Sequence, residues 1–248
     1  MNHEDLKGKV ALITGASSGI GRSISHKLGK LGLKLVLASR NKSNLEELSF
    51  ELKEDHGIES LILPTDVTKE DEVERLIEKT IEKFRRIDVL INNAGIIRYG
   101  ELENFSSEDY KDMMRTNCDG MFYTTRTAIP FLKESKGNLI YIGSFDSNYP
   151  RSFNPIYAAT KWWTKGFAHS VESILGEEGV GVTLINPSEV RTKIKDEDGK
   201  TYKEKYQKEE VLEPEEIGEA VVFVLKQKDH TTISELNIYR KDKLSDFF

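Results

Sequence analysis

Residues 10–22 carry the sequence VALITGASSGIGR, in which a short apolar run meets a glycine-rich turn and then a helical pattern. The apolar run predicts a buried strand, and the three glycines that follow have the spacing of a dinucleotide-binding turn. In such a turn Gly15 permits the sharp bend, Gly19 lets the backbone approach a pyrophosphate, and Gly21 lets the helix pack closely on the sheet. The N-terminus of the helix offers free N–H groups and a partial positive charge. We therefore expect residues 10–22 to bind the phosphates of a dinucleotide.

The alternation of apolar runs and amphipathic segments continues along the chain. Six further runs rich in β-branched residues predict strands, at residues 33–38, 61–63, 89–91, 139–142, 182–185 and 235–239. Before the fourth strand, Thr68 is expected to cap a helix. Strands that alternate with helices form right-handed crossovers, and their parallel sheet is covered on both faces. The pattern predicts a doubly wound α/β protein with seven parallel strands, folded as one domain over residues 1–248.

Composition and charge exclude several classes of protein. A formal net charge of -6 and a pI near 5.6 argue against nucleic acid as a partner. The longest apolar run, residues 220–225, is too short to cross a membrane, and the polar N-terminus leaves no room for a signal sequence, so we expect a cytoplasmic protein. Cys118 is the only cysteine, which excludes an internal disulfide and a thiolate-rich metal site. We expect no metal centre.

The end of the second strand bears on the choice of dinucleotide. Enzymes that bind a plain ribose carry an acidic residue there, about 20 positions after the glycine turn. Counting from Gly19 reaches Ser39 and Arg40, with no carboxylate. A guanidinium can bind a 2′-phosphate bidentately while the Ser39 hydroxyl donates a hydrogen bond. The sequence therefore predicts NADP(H) in preference to NAD(H), the alternative being that Arg40 is an ordinary surface cation.

Further polar motifs follow the later strands. Asn92-Asn93-Ala94-Gly95 comes after the fourth strand, Asn117 lies in the next helical segment, and Ser144 ends the fifth strand. Tyr157 and Lys161 are four residues apart, which places a phenol and an ammonium on one face of a helix. With the glycine turn, the order and spacing of these motifs resemble the short-chain dehydrogenase/reductase family over essentially the whole chain.

The resemblance implies a Rossmann-like fold and hydride transfer between a nicotinamide and a carbonyl or alcohol carbon. It implies that Tyr157 is the general acid or base and that Ser144 orients the carbonyl. Lys161 would stand beside Tyr157, and Asn117 would hold a proton-relay water. The cofactor-binding residues that it implies are Thr14, Gly15, Ser17, Ser18, Gly19, Ile20, Gly21, Ser39, Arg40, Asp66, Val67, Asn93, Ala94, Gly95, Tyr157, Lys161, Pro187, Val190 and Thr192.

Simpler interpretations of two of these residues stay open. Asn117 could cap or bend its helix, and Asp66 could form a turn. The family resemblance also suggests a homodimer or homotetramer built on the helices that contain Asn117 and Tyr157. A free phenol has a pKa of about 10, and a nearby ammonium favours the phenolate. We therefore expect Lys161, joined by the positively charged nicotinamide of an oxidised cofactor, to lower the pKa of Tyr157.

The chain departs from the family pattern in three places. Ser188 stands after Pro187 where the family commonly has glycine, which raises the question of local backbone freedom. Residues 193–216 contain six Lys and nine Asp or Glu, so we expect a surface excursion, either a mobile lid over a site or a solvated insertion. Tyr239 and Lys243 repeat the Tyr-x-x-x-Lys spacing in a polar tail, and we assign them no role.

The sequence indicates the substrate class less directly than it indicates the cofactor. The last strand lacks the Gly-Gly ending of many acyl-carrier-protein ketoreductases and looks more like the branch with 3-hydroxy acid and serine dehydrogenases. For an acidic substrate, Arg98, Arg151 and Arg191 are candidate carboxylate anchors, with solvated surface arginines as the alternative. We predict an NADP-dependent reductase or dehydrogenase for a small polar or hydroxy-acid-like substrate. The alternatives are a ketoreductase of carrier- or coenzyme-bound thioesters and an NADPH-sensing regulator without turnover.

Overall fold

The computed structural model describes residues 6–196 and 198–245. The ends of the predicted 1–248 domain and one residue of the charged segment, Glu197, lie outside the described residues. Seven strands form one parallel sheet in the order β3-β2-β1-β4-β5-β6-β7, which confirms the predicted fold class. Their bounds are β1 Val10–Thr14, β2 Lys34–Ser39, β3 Ser60–Pro64, β4 Val89–Asn92, β5 Asn138–Ile142, β6 Gly181–Pro187 and β7 Glu235–Ile238.

Helices connect the strands and cover both faces of the sheet. Their bounds are α1 Gly19–Lys30, α2 Lys42–His56, α3 Glu70–Phe84, α4 Ser107–Met114, α5 Gly120–Ser135, α6 Pro155–Leu175, α7 Tyr202–Lys205 and α8 Pro214–Leu225. A π-helical turn, Arg115–Asp119, joins α4 to α5, and a 3-10 turn, Phe145–Ser147, follows β5. No helix among the described residues is long and apolar enough to span a membrane.

The core has two halves because strand side chains alternate between the faces of the sheet. In β1, Ala11 and Ile13 face the half that is closed by α1, α2 and α8, whereas Val10 and Leu12 face the half closed by α3, α5 and α6. All four are at most 1% exposed. A strand buried on both faces must be apolar throughout, which is why β1 reads as a continuous apolar run.

The order of the strands places a crevice beside β1. The chain proceeds outward from β1 through β2 to β3 and then returns to β4 on the other side of β1. Loops leave the carboxyl ends of β1 and β4 in opposite directions at such a switch point, and ligands bind in the gap between them. The glycine turn after β1 and residues 93–95 after β4 meet at this gap.

Two local expectations differ from the structure. Helix α3 begins one residue later than predicted, with Lys69 as N-cap, because the Thr68 hydroxyl donates to Asp66 Oδ1 at 2.8 Å. The charged segment 193–216 is anchored to the body of the protein rather than wholly solvated. Val211 and Leu212 are 3% and 6% exposed, and the Arg191 amide donates to the Leu212 carbonyl at 2.8 Å.

Candidate active site

A cavity of about 420 Å³ opens at the carboxyl ends of the central strands. It brings together most of the predicted site residues, which come from seven separate segments of the chain. The predicted residues that line it are Gly15, Ser17, Ser18, Gly19, Ile20, Ser39, Arg40, Asp66, Val67, Asn93, Ala94, Gly95, Ser144, Tyr157, Lys161, Pro187, Val190 and Thr192. Three predicted residues, Thr14, Gly21 and Asn117, stand behind its wall.

Thr14 supports the floor of the cavity. Its hydroxyl donates to the Ile91 carbonyl at 3.2 Å and accepts hydrogen bonds from the amides of Asn93 and Ala94, each at 3.1 Å. Asn93 Nδ2 donates to the carbonyls of Thr14 and Gly15 at 2.9 and 3.1 Å. These bonds fix the turn after β4 against the glycine turn after β1, so the two walls of the crevice keep one spacing.

The glycine turn has the shape of a phosphate cradle. Gly15 and Gly19 adopt φ angles of +63° and +52°, which side chains disfavour. A Cβ atom on Gly19 would point at Thr192, 3.1 Å from its Cγ2. The N-cap residue Ser18 makes no side-chain capping bond, and the first turn of α1 holds no acidic residue. The helix N-terminus therefore keeps the donors and the positive field that an anion needs.

The far end of the cavity holds Ser39 and Arg40. The Ser39 hydroxyl is buried and has no hydrogen-bond partner among the described residues. Arg40 is exposed and lines the cavity, and within the same residues it forms no ion pair. A buried hydroxyl without a partner carries a free-energy penalty that a bound group can remove. These two side chains fit a ribose or phosphate oxygen at this end.

Asp66 forms a turn, which agrees with the simpler interpretation of this residue. Its Oδ1 accepts hydrogen bonds from the Thr68 amide and hydroxyl at 3.1 and 2.8 Å, which is a turn-forming arrangement. It lines the cavity beside Val67, which is 8% exposed and packs against Gly120. Asp66 thus shapes the wall, and its Oδ1 is already occupied.

Ser144 and Tyr157 converge on the inner end of the cavity. Ser144 caps the 3-10 turn Phe145–Ser147, and its hydroxyl oxygen accepts a hydrogen bond from the Asp146 amide at 3.1 Å. Tyr157 lies in the first turn of α6, whose N-cap Asn154 accepts a hydrogen bond from the Tyr157 amide at 3.2 Å. The strand end and the helix start therefore present two hydroxyls to one space.

Lys161 stands one helical turn after Tyr157. Its Nζ donates to the Ile142 carbonyl at 3.0 Å and lies 5.6 Å from the centroid of the Tyr157 ring. The side chain is only 4% exposed, and burial lowers the pKa of Lys161 to about 8. The ammonium is thus held in place by β5 and points past the phenol ring.

The pKa of Tyr157 moves in the opposite direction from the one expected. Burial raises it above the ordinary 10.0, the charge of Asp146 adds to the rise, and the neighbouring Ser144 hydroxyl acts against it. The protein side chains alone do not produce the expected lowering, because burial of the phenol dominates and the Lys161 ammonium is itself buried and bonded to the Ile142 carbonyl. Tyr157 is accordingly a neutral phenol at physiological pH.

Asn117 lies in the π-helical turn between α4 and α5, and it is fully buried. Its amide exchanges hydrogen bonds with the Ile96 backbone, at 2.8 and 2.9 Å, and donates to the Thr160 hydroxyl at 3.1 Å. A Cβ atom on Gly95 would lie 3.4 Å from Asn117 Oδ1 and 3.9 Å from Lys161 Nζ. The Asn117 side chain thus joins the loop after β4 to α6, and the widened turn agrees with the helix-bending interpretation.

A polar layer lies behind Ser144. The Ser144 amide donates to Asn186 Oδ1 at 3.2 Å, and Asn186 Nδ2 donates to Glu235 Oε1 at 3.0 Å. Asn148 Nδ2 also donates to Glu235 Oε1, at 3.0 Å. Glu235 on β7 is therefore connected through β6 to the backbone that carries Ser144.

This layer makes acid stability depend on Glu235. Burial acts to raise its pKa, but hydrogen bonds from Lys165, Asn148 and His169 outweigh burial and hold the pKa at about 2, below the ordinary 4.5. A lowered carboxyl pKa stabilises the fold above the unfolded value and loses this effect as pH falls toward the folded value. We expect Glu235→Gln to lower the free energy of unfolding at pH 7 by about 2 kcal/mol and to flatten its decline between about pH 5 and pH 2. Urea unfolding at a series of pH values measures both effects, with exposed Glu219→Gln as control, and parallel curves for parent and variant would contradict the prediction.

The substrate end contains residues that the sequence did not nominate. Lys243, assigned to a polar tail without a role, is 6% exposed, lines the cavity and forms an ion pair with Glu189. Tyr99 and Tyr202 also line the cavity, with their hydroxyl oxygens 3.4 Å apart. Tyr202 belongs to the charged segment 193–216, so part of that segment faces the cavity. The one available signal was the repeated Tyr-x-x-x-Lys spacing at Lys243.

Of the three candidate carboxylate anchors, Arg151 alone lines the cavity. Arg98 Nε donates to Asp109 at 3.2 Å, and Arg191 Nε donates to Glu213 at 2.7 Å. The nomination of Arg98 and Arg191 was therefore wrong, because acidic residues from α4 and from the cap of α8 neutralise them. The guanidinium of Arg151 lies 4.5 Å from the centroid of the Phe153 ring.

Ser188, which stands where the family commonly has glycine, does not strain the backbone, because it is not one of the residues with a positive φ angle. Its amide donates to the Ile238 carbonyl at 2.9 Å, and its hydroxyl accepts from the Arg240 amide at 3.1 Å. The hydroxyl thus fastens the segment after β7 to β6.

Potential metal ligands come together at His26, Asp55 and His56, within 4.8 Å of one another, but none of them lines the cavity.

The fold and the cavity together define a dinucleotide-binding α/β enzyme with a Ser, Tyr and Lys at the inner end of its cleft. Residues 9–203 match the protein family described as short chain dehydrogenase. The chain therefore belongs to the short-chain dehydrogenase/reductase family, and it is an oxidoreductase with a nicotinamide nucleotide cofactor.

Individual relatives agree with this assignment. An uncharacterized oxidoreductase of Staphylococcus aureus (strain MRSA252) is 35% identical over 234 residues, which cover 94% of this chain and 97% of the relative. The alcohol dehydrogenase of the archaeon Thermococcus sibiricus, solved with 5-hydroxy-NADP, has a TM-score of 0.87 at 30% identity, covering 94% of this chain and 97% of that one. The 3-ketoacyl-(acyl-carrier-protein) reductase of Brucella melitensis, solved with NADH, has a TM-score of 0.84 at 28% identity over the same shares of the two chains.

Proposed function

We propose that this protein reduces a carbonyl compound, or oxidises the corresponding alcohol, with NADP(H) as the hydride carrier and a small polar molecule as substrate. The observation that carries the proposal is the convergence of the Ser144 and Tyr157 hydroxyls on the cavity that the glycine turn lines. The bound nicotinamide supplies a hydride to the carbonyl carbon during reduction and accepts one during oxidation. The cradle of Gly15 and Gly19, whose φ angles disfavour side chains, fits such a dinucleotide.

The side chains account for the proton. In reduction, Ser144 and Tyr157 donate hydrogen bonds to the carbonyl oxygen and stabilise the negative charge that develops there. Tyr157 then transfers its phenolic proton to that oxygen, so carbonyl, hydride and proton together give the alcohol. Because the pKa of Tyr157 is raised, the phenol keeps this proton until negative charge develops on the substrate oxygen. Lys161, fixed on the Ile142 carbonyl, places a positive charge beside the phenolate that remains.

A panel assay tests this function. We expect NADPH oxidation, followed by its absorbance, with at least one compound among small aldehydes, ketones, 3-oxo acids and a coenzyme-bound 3-oxo thioester. Turnover of the thioester alone would favour a ketoreductase of carrier- or coenzyme-bound substrates instead. NADPH binding without turnover of any compound would favour a cofactor-sensing protein.

The preference for NADP(H) is proposed on Ser39 and Arg40. A guanidinium and a hydroxyl without partners among the described residues suit a 2′-phosphate, which a plain ribose lacks. We expect Arg40→Ala to weaken NADPH binding about tenfold to a hundredfold and NADH binding by less than about threefold. Fluorescence titration of both nucleotides measures the ratio.

Lys42→Ala provides the matched control for Arg40→Ala. Lys42 is an exposed cation two residues further on and is ion-paired with Glu46 at 3.5 Å. It should leave both affinities unchanged. Equal affinity of the parent protein for NADPH and NADH would contradict the assignment of Ser39 and Arg40.

We also propose that part of segment 193–216 closes the substrate end as a lid and that the chain forms a homodimer or homotetramer. The lid is supported by Ile194 and Tyr202, which line the cavity. Oligomerisation is supported by exposed aromatic side chains on the helices that the family resemblance nominated, with Phe122 on α5 and Trp162 on α6 exposed by 38% and 50%. Sedimentation velocity tests the oligomeric state.

A further inference from the structure

A carboxylate that the reaction does not use lies beside the reacting groups. Asp146 stands two residues after Ser144, in the turn Phe145–Ser147, and its amide donates to Ser144 Oγ at 3.1 Å. Covalent geometry keeps a carboxylate within one side-chain length of its own amide. Asp146 lines the same cavity, is 8% exposed, and its charge raises the pKa of Tyr157. The carboxylate is therefore close to the point where Ser144 and Tyr157 meet the substrate oxygen.

Within the described residues, the Asp146 carboxylate has a charged neighbour but no hydrogen-bond donor. Its nearest cation is Arg151, with Nε 3.6 Å from Oδ1, which is ion-pair range but too far for a hydrogen bond. No other described residue donates a hydrogen bond to this side chain. Burial raises its pKa to about 6, against the opposing charges of Arg151 and Lys243, while Glu189 adds to the rise. Asp146 is thus largely ionised at neutral pH.

Another carboxylate of the cavity, Glu189, has a partner of its own. Glu189 also lines the cavity, and Lys243 donates a hydrogen bond directly to it. Lys243 thus satisfies Glu189 Oε1, whereas Glu189 Oε2 and the Asp146 carboxylate receive no hydrogen bond from the described residues. A nearly buried anion without donors is unfavourable unless another group supplies one, and Asp146 lines the cavity in which we expect the substrate to bind.

We propose that Asp146 determines specificity by accepting a hydrogen bond from a second polar group of the substrate, a hydroxyl or an ammonium one or two carbons from the reacting carbon. The substrate class is then vicinal or 1,3-related diols and amino alcohols, with the corresponding hydroxy and amino ketones. A simple alkyl alcohol would leave Asp146 buried without a donor. This inference rests on the proposed function and adds the substrate class to it.

Three alcohols of matched carbon skeleton test the inference. With NADP+ as oxidant, kcat/KM is compared for 2-butanol, 2,3-butanediol and 3-amino-2-butanol, the last being cationic at neutral pH. We expect the parent protein to prefer the diol or the amino alcohol to 2-butanol by about tenfold to a hundredfold. Comparison of kcat/KM for 3-amino-2-butanol and 2,3-butanediol shows whether Asp146 prefers an ammonium or a hydroxyl as donor.

Variants then assign the preference to Asp146. Asp146→Asn keeps the shape and one acceptor oxygen but removes the charge, so the preference for the amino alcohol should fall at least about tenfold and that for the diol less. Asp71→Asn, on an exposed carboxylate of α3 that pairs with Arg75, should keep both ratios. NADPH titration of Asp146→Asn reports whether the nucleotide site, and hence the fold, is intact.

The outcomes separate this inference from the proposed function. Equal kcat/KM for the three alcohols, or turnover of other panel compounds but of neither polar alcohol, would overturn the role of Asp146 and leave hydride transfer standing. The same holds if Asp146→Asn binds NADPH normally and keeps the parent's preference. Absence of turnover with every alcohol and carbonyl compound would overturn the proposed function, and the substrate class with it.

Discussion

Replacing Tyr157 with Phe is expected to lower kcat/KM for carbonyl reduction by about a thousandfold or more. The substitution removes one hydroxyl from a ring held by α6, so the cavity keeps its shape and loses the acid. General acid catalysis contributes about a hundredfold to ten-thousandfold, and the loss of a hydrogen bond to the developing alkoxide adds to that. Tyr157 carries its phenolic proton at physiological pH, and a Phe side chain at this position has no proton to donate.

The control for Tyr157→Phe separates chemistry from binding. NADPH affinity should change by less than about threefold, since the phenol has no described contact that holds the glycine turn. Tyr110→Phe, on a tyrosine of α4 that is 47% exposed, should leave turnover unchanged. A Tyr157→Phe variant that retained more than about a tenth of the parent's kcat/KM would show that the proton comes from another group.

Gly21→Ala is expected to destabilise the fold by more than about 3 kcal/mol and to abolish NADPH binding. A Cβ atom at Gly21 would lie 2.3 Å from the Gly15 carbonyl oxygen and 2.6 Å from Asn93 Nδ2. Neither contact can be relieved by rotating a free side chain, because the Gly15 carbonyl is backbone and Asn93 Nδ2 is bonded to the carbonyls of Thr14 and Gly15. The glycine turn would have to move away from α1, which removes the cradle for the phosphates.

Gly166→Ala is the matched substitution. Gly166 lies within α6, and a Cβ atom there would meet nothing within 4 Å. Alanine is the better helix former, so this variant should be as stable as the parent or more stable by up to about 1 kcal/mol. Urea unfolding and NADPH titration of both variants measure the difference. Equal stability of the two variants would refute the packing argument for Gly21.

Local signals predicted much of the architecture. All seven strands were placed within a few residues of their observed bounds, because a strand buried on both faces of a parallel sheet must be apolar throughout. The predicted start of α3 was one residue too early. Lys69 is the N-cap, and the Thr68 hydroxyl bonds to Asp66 instead; the sequence alone does not show which of these neighbouring residues caps the helix. The doubly wound order followed from the alternation of strands and helices, together with the handedness of crossovers.

Pairings between distant segments could not be predicted in the same way. The rise that burial causes in the Tyr157 pKa was not predicted, because the degree of burial of a phenol is a property of the assembled cleft. The sequence left Arg98 and Arg191 as candidate anchors for a substrate carboxylate. In the fold, Asp109 of α4 and Glu213 at the cap of α8 accept their hydrogen bonds. No sequence motif singled out Asp146, and its lack of a hydrogen-bond donor among the described residues became visible only with the fold.

The amino-acid sequence by itself determined the sheet, the phosphate-binding turn and the family, because each depends on spacing within one or two neighbouring elements. The tertiary structure decided the substrate end, where Lys243 meets Glu189 across 54 positions of the chain and Asp146 meets no donor from the described residues. The physical reason is that the free energy of a buried charge depends on which groups surround it in space.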